Sequence, residues 1–322
     1  MNSLSEQTKM KVVVATLTCG RDKSLRRLLT AFVELRIPRG IEPLFLVIDN
    51  GGSGSVSELV APFQAALGNL EYLVESMPGI PYARNAAIGF ALAKHSNALC
   101  FIDDDEEPHP LWLEKITACW LESGADLVGG PVTYADSSSG KSLWRRFVNR
   151  SLISRQNQWN RRIQSNFELG KPFSLATNNW LCGVEFLRKS GIQFDTTYQF
   201  SGGSDSAFFK EAVESECQVY WCQAATVVET LEDDRISLRY QLKRAKSQSI
   251  NHFRLKRYER TVAVISRTIT AAAFRVFSGF LLFLIPVWGF ASPVIAIRSI
   301  GWGLGRFEAL RGVGSNLYKR SG

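Results

Sequence analysis

Five carboxylates follow two apolar residues in "FIDDDEEPHP", residues 101–110 of a chain that is basic overall. Crowded carboxylates repel and raise each other's pKa, so the cluster calls for either a cation or bulk solvent. Asp103 and Asp105 are separated by one residue at the end of the apolar run 98–102. At a strand end that spacing points both side chains roughly the same way. Mg²⁺ or Mn²⁺ would relieve the repulsion, since both favour carboxylate oxygens and keep positions open for phosphate oxygens. The matching ligand is a nucleotide diphosphate. Glu106 and Glu107 read as the solvated start of the turn before Pro108. His109, between two prolines, reads as part of that turn rather than as a metal ligand.

The elements that must position these acids are legible as alternating runs. "KVVVATLT" (11–18) is a continuous β-branched stretch, as expected of a buried parallel strand. Further strands are expected at 43–55, 70–76, 98–105 and 126–134, with helices at 21–36, 57–67, 82–95 and 111–123. Alternation of this kind predicts right-handed βαβ units and a mainly parallel sheet covered on both faces. Ligands bind such sheets outside the carboxyl ends of the strands. Thr16 to Arg21, Asp49 to Gly54 and Asp103 to Asp105 all follow strand ends, and are expected to converge on one cleft. The turn "DNGGSG" is not a dinucleotide fingerprint, and no P-loop sequence is present.

The chain has 322 residues, 38 Lys and Arg against 30 Asp and Glu, and a net charge of +8. The excess suggests an anionic partner, but no RNA-binding or helix-turn-helix signature supports nucleic acid. Six cysteines without a C-x-x-C and only three histidines argue against zinc, and reduced thiols are expected. The polar N-terminus lacks the apolar core of a signal peptide.

Residues 135–172, rich in Arg, Ser and Asn, read as a long surface insertion, a candidate acceptor loop. From Arg235 to Arg260 there are nine Lys or Arg and one acid, interleaved with aromatics, which suits an anionic membrane surface. Val276 to Ile297 then carries no charge for 22 positions. That length can cross a bilayer, although Pro286 and Pro293 weaken the case for one straight helix, and a re-entrant or interfacial hairpin is the rival. The expected organisation is therefore a nucleotide-binding catalytic domain over 1–234 and a membrane-associated region over 235–322.

Five stretches in this order, "VVVATLTCGR", "LFLVIDNGGSGS", "PGIPYARNAAIGFALA", "CFIDDDEEPHPLWL" and "GIQFDTTYQFSGGSDSAFFKEA", resemble the family 2 glycosyltransferases over roughly residues 10–245. The resemblance is strongest to the ExoM-like branch that builds bacterial surface polysaccharides. It implies a GT-A fold, a Rossmann-like mixed α/β sheet that binds a nucleotide sugar. Thr16 and Arg21 match the loop that wraps the nucleoside. Asp49 matches the acid that faces the base, with Asn50 where the family often has a second acid. Arg84 and Asn85 match the "ARN" at a helix start. Asp103 and Asp105 match the DxD, with Asp105 the metal ligand and Asp104 a further nucleotide-sugar candidate beside them. Asp205 matches the catalytic base, with Ser204 where a Glu often stands. "QLKRA" (241–245) lacks the tryptophan of the processive signature, which implies transfer of one sugar. Arg235 and Arg244 are further candidates for contacting a diphosphate or the acceptor.

The resemblance thus implies an inverting transfer of a hexose from a UDP-sugar to a lipid-linked saccharide at the cytoplasmic face of the inner membrane, with Mg²⁺ or Mn²⁺ as cofactor. A metal-dependent nucleotidyltransferase and a non-catalytic membrane-surface module are the alternatives.

Overall fold

The computed structural model describes residues 9–52, 54–136, 142–255, 261–284 and 292–314. Parts of three regions singled out in the sequence lie outside the described residues: 137–141 of the insertion, 256–260 of the basic run and 285–291 of the apolar stretch. The polar N-terminus, residues 1–8, lies outside them too.

The chain divides into two compact units. The first comprises residues 1–133, 160–196 and 208–229. It begins with β1 (Met10–Thr18), α1 (Asp22–Val33), β2 (Ile41–Asp49), α2 (Gly54–Leu67), β3 (Leu70–Val74), α3 (Ile80–Ala93), β4 (Ala98–Ile102), β5 (Glu106–Pro108) and α4 (Trp112–Ser123). β6 (Leu127–Gly129), β7 (Val132–Tyr134), α5 (Leu143–Glu168), β8 (Asn179–Gly183) and α6 (Val184–Ser190) follow. α7 (Ser204–Glu214), β9 (Val219–Trp221) and β10 (Val227–Glu229) complete it. α5 and α7 each run across the division of the chain.

Seven strands form one sheet in the order β3-β2-β1-β4-β8-β6-β9. β1, β2, β3 and β4 are mutually parallel, and β8 runs antiparallel between β4 and β6. A strand sends alternate side chains to opposite faces. In β1 this puts Val12 and Val14 into a core with Leu25, Leu28 and Phe32 of α1 and Trp112 and Ile116 of α4. Val13 and Ala15 enter a second core with Ala83, Ala87, Ile88 and Ala91 of α3. A strand buried on both faces needs no polar alternation, which is why 11–18 reads as one apolar run.

The expected strand over 126–134 is two strands. β6 stays in the main sheet, while β7 joins the small sheet β5-β10-β7. Gly130 and Pro131 separate them, and the backbone at Gly130 lies so close to the Ala225 carbonyl that a Cβ there would collide with it. The Asn179 side chain fastens this crossing. Its Nδ2 donates to the carbonyls of Pro131 at 3.1 Å and Ala225 at 2.8 Å, and its Oδ1 accepts the Trp112 indole N–H at 2.8 Å. Cys119 of α4 is disulfide-bonded to Cys222. This corrects the expectation of reduced thiols for that pair; Cys100, Cys182 and Cys217 are free.

The second unit comprises residues 134–159, 197–207 and 230–322. Among the described residues its α-helices are the first parts of α5 and α7, with α8 (Leu238–Leu255), α9 (Val262–Leu284) and α10 (Ser292–Leu310). Within the apolar stretch, 276–284 end α9 and 292–297 begin α10; among the described residues the helix long and apolar enough to cross a membrane is α9. α10 packs on both α8 and α9. Its "GWGLG" at 301–305 makes that possible. Gly301 and Gly305, one turn apart, face the α8 carbonyls of Leu242 and Lys246, and Gly303 faces Ala272 and Val276 of α9. Small residues at that spacing let helix backbones approach closely. Gly305→Ala places a methyl against the Lys246 carbonyl and the Ser249 Cβ. It is expected to lower stability by about 1–3 kcal/mol, measured as a fall in Tm, and an unchanged Tm would show that α10 is free to shift.

Candidate functional site

β1 lies between β2 and β4, so the carboxyl ends of these three parallel strands are neighbours, and Thr18 is directly opposite Asp49. The acidic turn 103–105 follows β4 at this edge. Its charges are held by groups from the end of β1. The Arg21 Nη1 donates to Asp104 Oδ1 at 2.8 Å and to Asp105 Oδ2 at 3.0 Å. The Thr18 hydroxyl donates to the other oxygen of Asp104 at 2.9 Å. Asp104 and Asp105 are both buried, and Asp103 is half-buried. Burial pushes the Asp104 carboxyl up to about 6; Arg21 opposes this, while Asp105 and Asp103 add to it.

Glu106 was expected in solvent, and the structure corrects this. It is 1% exposed. β5 pairs antiparallel with β10, where Glu229 stands opposite Glu106. The carboxyl accepts the Asp103 N–H at 3.0 Å and the Asn178 amide at 2.7 Å. Burial first, then repulsion from Asp103, Glu229 and Asp105, raises its pKa well above the usual carboxylate range. Glu106 therefore braces the backbone of the acidic turn from within. Glu107 is half-buried and pairs with Arg27 at 3.1 Å. His109 lies in the turn before α4, its Nδ1 accepting the Leu111 N–H at 3.2 Å.

At the end of β2, Asp49 is fully buried. Its Oδ1 accepts the N–H groups of Gly51 and Gly52 at 2.8 and 3.1 Å, and its Oδ2 accepts the Tyr72 hydroxyl at 3.0 Å. Burial and this bond raise the Tyr72 pKa to about 12. Asn50 donates to the carbonyls of Glu75 and Met77 at 3.1 and 2.7 Å and accepts the Gly79 N–H at 2.7 Å. It thereby pins the loop that leads into α3. Gly79 has φ 129°, a left-handed value that a side chain would resist.

Past that loop, Arg84 lies near the start of α3, largely buried, with its guanidinium 5.1 Å from the Phe194 ring centroid. Asn85 grips the backbone of the same phenylalanine, donating to its carbonyl at 2.9 Å and accepting its N–H at 2.8 Å. Thr16 is buried within β1, and its hydroxyl has no partner among the described residues.

The remaining candidates lie in the second unit. Asp205 is half-buried on the first turn of α7. The loop before it turns through Gly202 and Gly203, at φ 71° and 94°. α8 fastens that loop. Asn251 donates to the carbonyls of Ser201 and Gly202 at 2.8 and 2.6 Å, and Ser247 donates to Ser201 at 3.0 Å. Arg235 is tied through its own carbonyl to Gln241 at 2.7 Å. Arg244 lies on α8 within electrostatic reach of Arg155 and Arg298.

Sequence reasoning placed Thr18 only within the stretch Thr16 to Arg21, without singling it out, and missed Asn178 and Asn251. The hydroxyl of Thr18 at the last position of a parallel strand was a usable signal. The other two act through pairings distant in sequence. Among the described residues no group of three or more His, Cys, Asp or Glu forms a metal cage. The donor chemistry still fits Mg²⁺ or Mn²⁺, ions that take one or two carboxylates and complete their shell with phosphates and water. Asp103 and Asp105 would be those carboxylates, and Arg21 supplies positive charge at the same place.

Comparison with known proteins places this edge in context. The model of the family "Glycosyl transferase family 2" matches residues 12–189. The chain is 36% identical over 119 residues to glycosyltransferase AglE of Haloferax volcanii, covering 35% of this chain and 38% of that protein. It is 26% identical over 168 residues to chondroitin synthase of Escherichia coli, covering 52% and 23%. The chain thus spans well under half the length of these curated relatives. Among solved structures, S. aureus TarS 1–349 in complex with UDP superposes with a TM-score of 0.53 at 14% identity, covering 94% of this chain and 92% of that one. The mannosyltransferase PcManGT from Pyrobaculum calidifontis, in complex with GDP-Man and Mn²⁺, gives 0.54 at 14%, covering 94% and 75%. At such identities the likeness is one of fold, the mixed α/β GT-A arrangement with a mostly parallel central sheet.

Proposed function

The chain belongs to glycosyl transferase family 2, and on that premise we propose that it transfers a single hexose from a UDP-sugar to a lipid-linked saccharide, with inversion, in bacterial surface polysaccharide synthesis. The observation that carries the donor half of this reading is the cluster at the carboxyl ends of β1, β2 and β4, where Thr18 and Arg21 hold Asp104 and Asp105. That edge is where open α/β sheets bind nucleotides. The structural neighbours are described with UDP and with GDP-Man and Mn²⁺, which supports a nucleotide-sugar donor and a divalent ion.

In this reading Asp49 shapes the turn that meets the base, and Arg84, by the start of α3, faces the diphosphate. A divalent ion held by Asp103 and Asp105 would supply positive charge for the departing nucleoside diphosphate. Asp205 takes the proton of the acceptor hydroxyl as its oxygen bonds to the anomeric carbon. The bond from that carbon to the phosphate oxygen breaks in the same step, and its electrons leave with the nucleotide.

A membrane-borne acceptor is supported by α9. Phe274, Phe277, Leu281 and Leu284 recur at helical spacing and are exposed, while Ala272 and Gly279 on the other side are buried. Arg267, two turns before Phe274 on the same stripe, is exposed too. An apolar stripe with a cation at its edge suits a helix lying in the surface of an anionic bilayer, here the cytoplasmic face of the inner membrane. The test is release of nucleoside diphosphate by the purified protein from a panel of nucleotide sugars, with acceptor-bearing membranes and Mn²⁺. UDP-sugars are expected to give release that depends on the membranes. No release from any donor would overturn the reading.

A further inference from the structure

Phe194 lies in the irregular segment after α6, and residues from three other elements of the first unit hold it. The Asn85 side chain of α3 takes both polar groups of its backbone, at 2.9 and 2.8 Å. Its ring stacks on Phe208 of α7, with centroids 4.4 Å apart and planes 16° from parallel. It meets Phe101 of β4 edge to face at 6.2 Å. Phe101 and Phe208 in turn pack against Trp180 of β8, at 5.6 and 5.5 Å. None of these four rings is more than 2% exposed. Rings packed in this way have little freedom to turn.

The Arg84 guanidinium lies over the Phe194 ring, 5.1 Å from its centroid, and Arg84 is largely buried. A buried cation is costly unless something answers its charge. The negative face of an aromatic ring does so, and more strongly where water is excluded. Arginine suits such a place, because a stacked guanidinium still carries its fork of N–H donors in its own plane, matched to phosphate oxygens. Asn85 is next to Arg84 on α3, so the residue that grips the Phe194 backbone also sets where the arginine side chain starts. Phe101 stands two residues before Asp103, on the strand that leads into the acidic turn. The block of rings therefore ties α3 and its arginine to the strand that carries the candidate metal ligands. We propose that Phe194 is a positioning residue for the donor, its ring fixing the Arg84 guanidinium where it meets the diphosphate of a nucleotide sugar. This rests on the donor half of the function proposed above and on nothing about the acceptor.

Binding of uridine and UDP, and of guanosine and GDP, would be measured on the full-length protein in Mn²⁺ by heat of binding, directly or in competition. The unaltered protein is expected to bind one of the two diphosphates well above its nucleoside. Phe194→Leu removes the ring and keeps an apolar side chain. It is expected to weaken that diphosphate about tenfold and the nucleoside less than about twofold. Pentafluorophenylalanine at position 194 keeps a ring and removes its negative face. It is expected to weaken the diphosphate about threefold or more and to leave Tm nearly unchanged. Arg84→Met is expected to lose the same preference for the diphosphate. The double variant should then bind it no more weakly than Arg84→Met alone, since the ring acts through the arginine. Unchanged diphosphate affinity in Phe194→Leu, equal loss for nucleoside and diphosphate, or a loss that adds to that of Arg84→Met would overturn the positioning role and leave the donor reading standing. If Phe194→Leu fails to fold, unchanged diphosphate affinity in the fluorinated protein overturns the role by itself. An unaltered protein that binds neither diphosphate refutes the donor reading, and Phe194 then has nothing to position.

Discussion

Asp205→Asn is expected to lower transfer about 10²–10⁴-fold, the range that a positioned general base contributes, while nucleotide-sugar binding stays near normal. The substitution keeps shape and hydrogen-bonding capacity but removes the ability to accept a proton at neutral pH. What the structure holds in place is the backbone that leads into Asp205. Asp205 stands on the first turn of α7, where a negative side chain complements the helix dipole. The two left-handed glycines before it give the turn its shape, and the Asn251 amide and Ser247 hydroxyl hold the carbonyls of that turn. Asparagine should disturb none of this, so Tm should hold. Transfer is read as nucleoside diphosphate released per enzyme in a single turnover, and binding as the Tm shift with UDP-sugar. Near-normal transfer would show that another group takes the proton. Loss of donor binding in step with transfer would place Asp205 on the donor instead of the acceptor.

The parallel half of the sheet was legible because burial on both faces leaves a plain signature. β1 and β4 are apolar at nearly every position, and each ends in residues that a core would not hold. Their order, and the rule that ligands meet the carboxyl ends, were enough to bring Arg21, Asp49 and Asp103–Asp105 to one edge. The misses share a cause, which is contact between residues distant in sequence. Glu106 looked solvated since nothing nearby in sequence partners it; β10 pairs with its strand and Asn178 bonds its carboxyl, both from far along the chain. The run 126–134 has the composition of one strand, and splits because the Ala225 carbonyl crowds Gly130. Residues 276–297 carry no charge, yet 276–284 and 292–297 belong to two different helices that meet through glycines. With the family established, the nucleotidyltransferase alternative is set aside.

Arg21→Met is expected to be the most damaging single change at the nucleotide edge, and its effect should depend on divalent metal. Methionine keeps the length and apolar stem and removes only the charged fork. Asp104 and Asp105 then lose their shared counter-cation while remaining buried. Breaking a fully buried pair in this way costs about 3–5 kcal/mol. Arg21 retains 32% side-chain exposure, so solvent already screens part of the interaction and about 1–3 kcal/mol is expected. Burial has already raised the Asp104 carboxyl to about 6 against the opposing pull of Arg21, and without that pull it rises further. A divalent ion at Asp103 and Asp105 brings positive charge to the same acids. Added Mn²⁺ should therefore raise the Tm of the variant more than that of the unaltered protein and narrow the gap between them, while chelation widens it. UDP-sugar affinity should fall with the gap, because the same charges would face the diphosphate. A gap that ignores Mn²⁺ would show that arginine and metal do not share these carboxylates. The acidic turn would then be held by Arg21 for structure alone, and the metal ligands would have to be sought elsewhere in the chain.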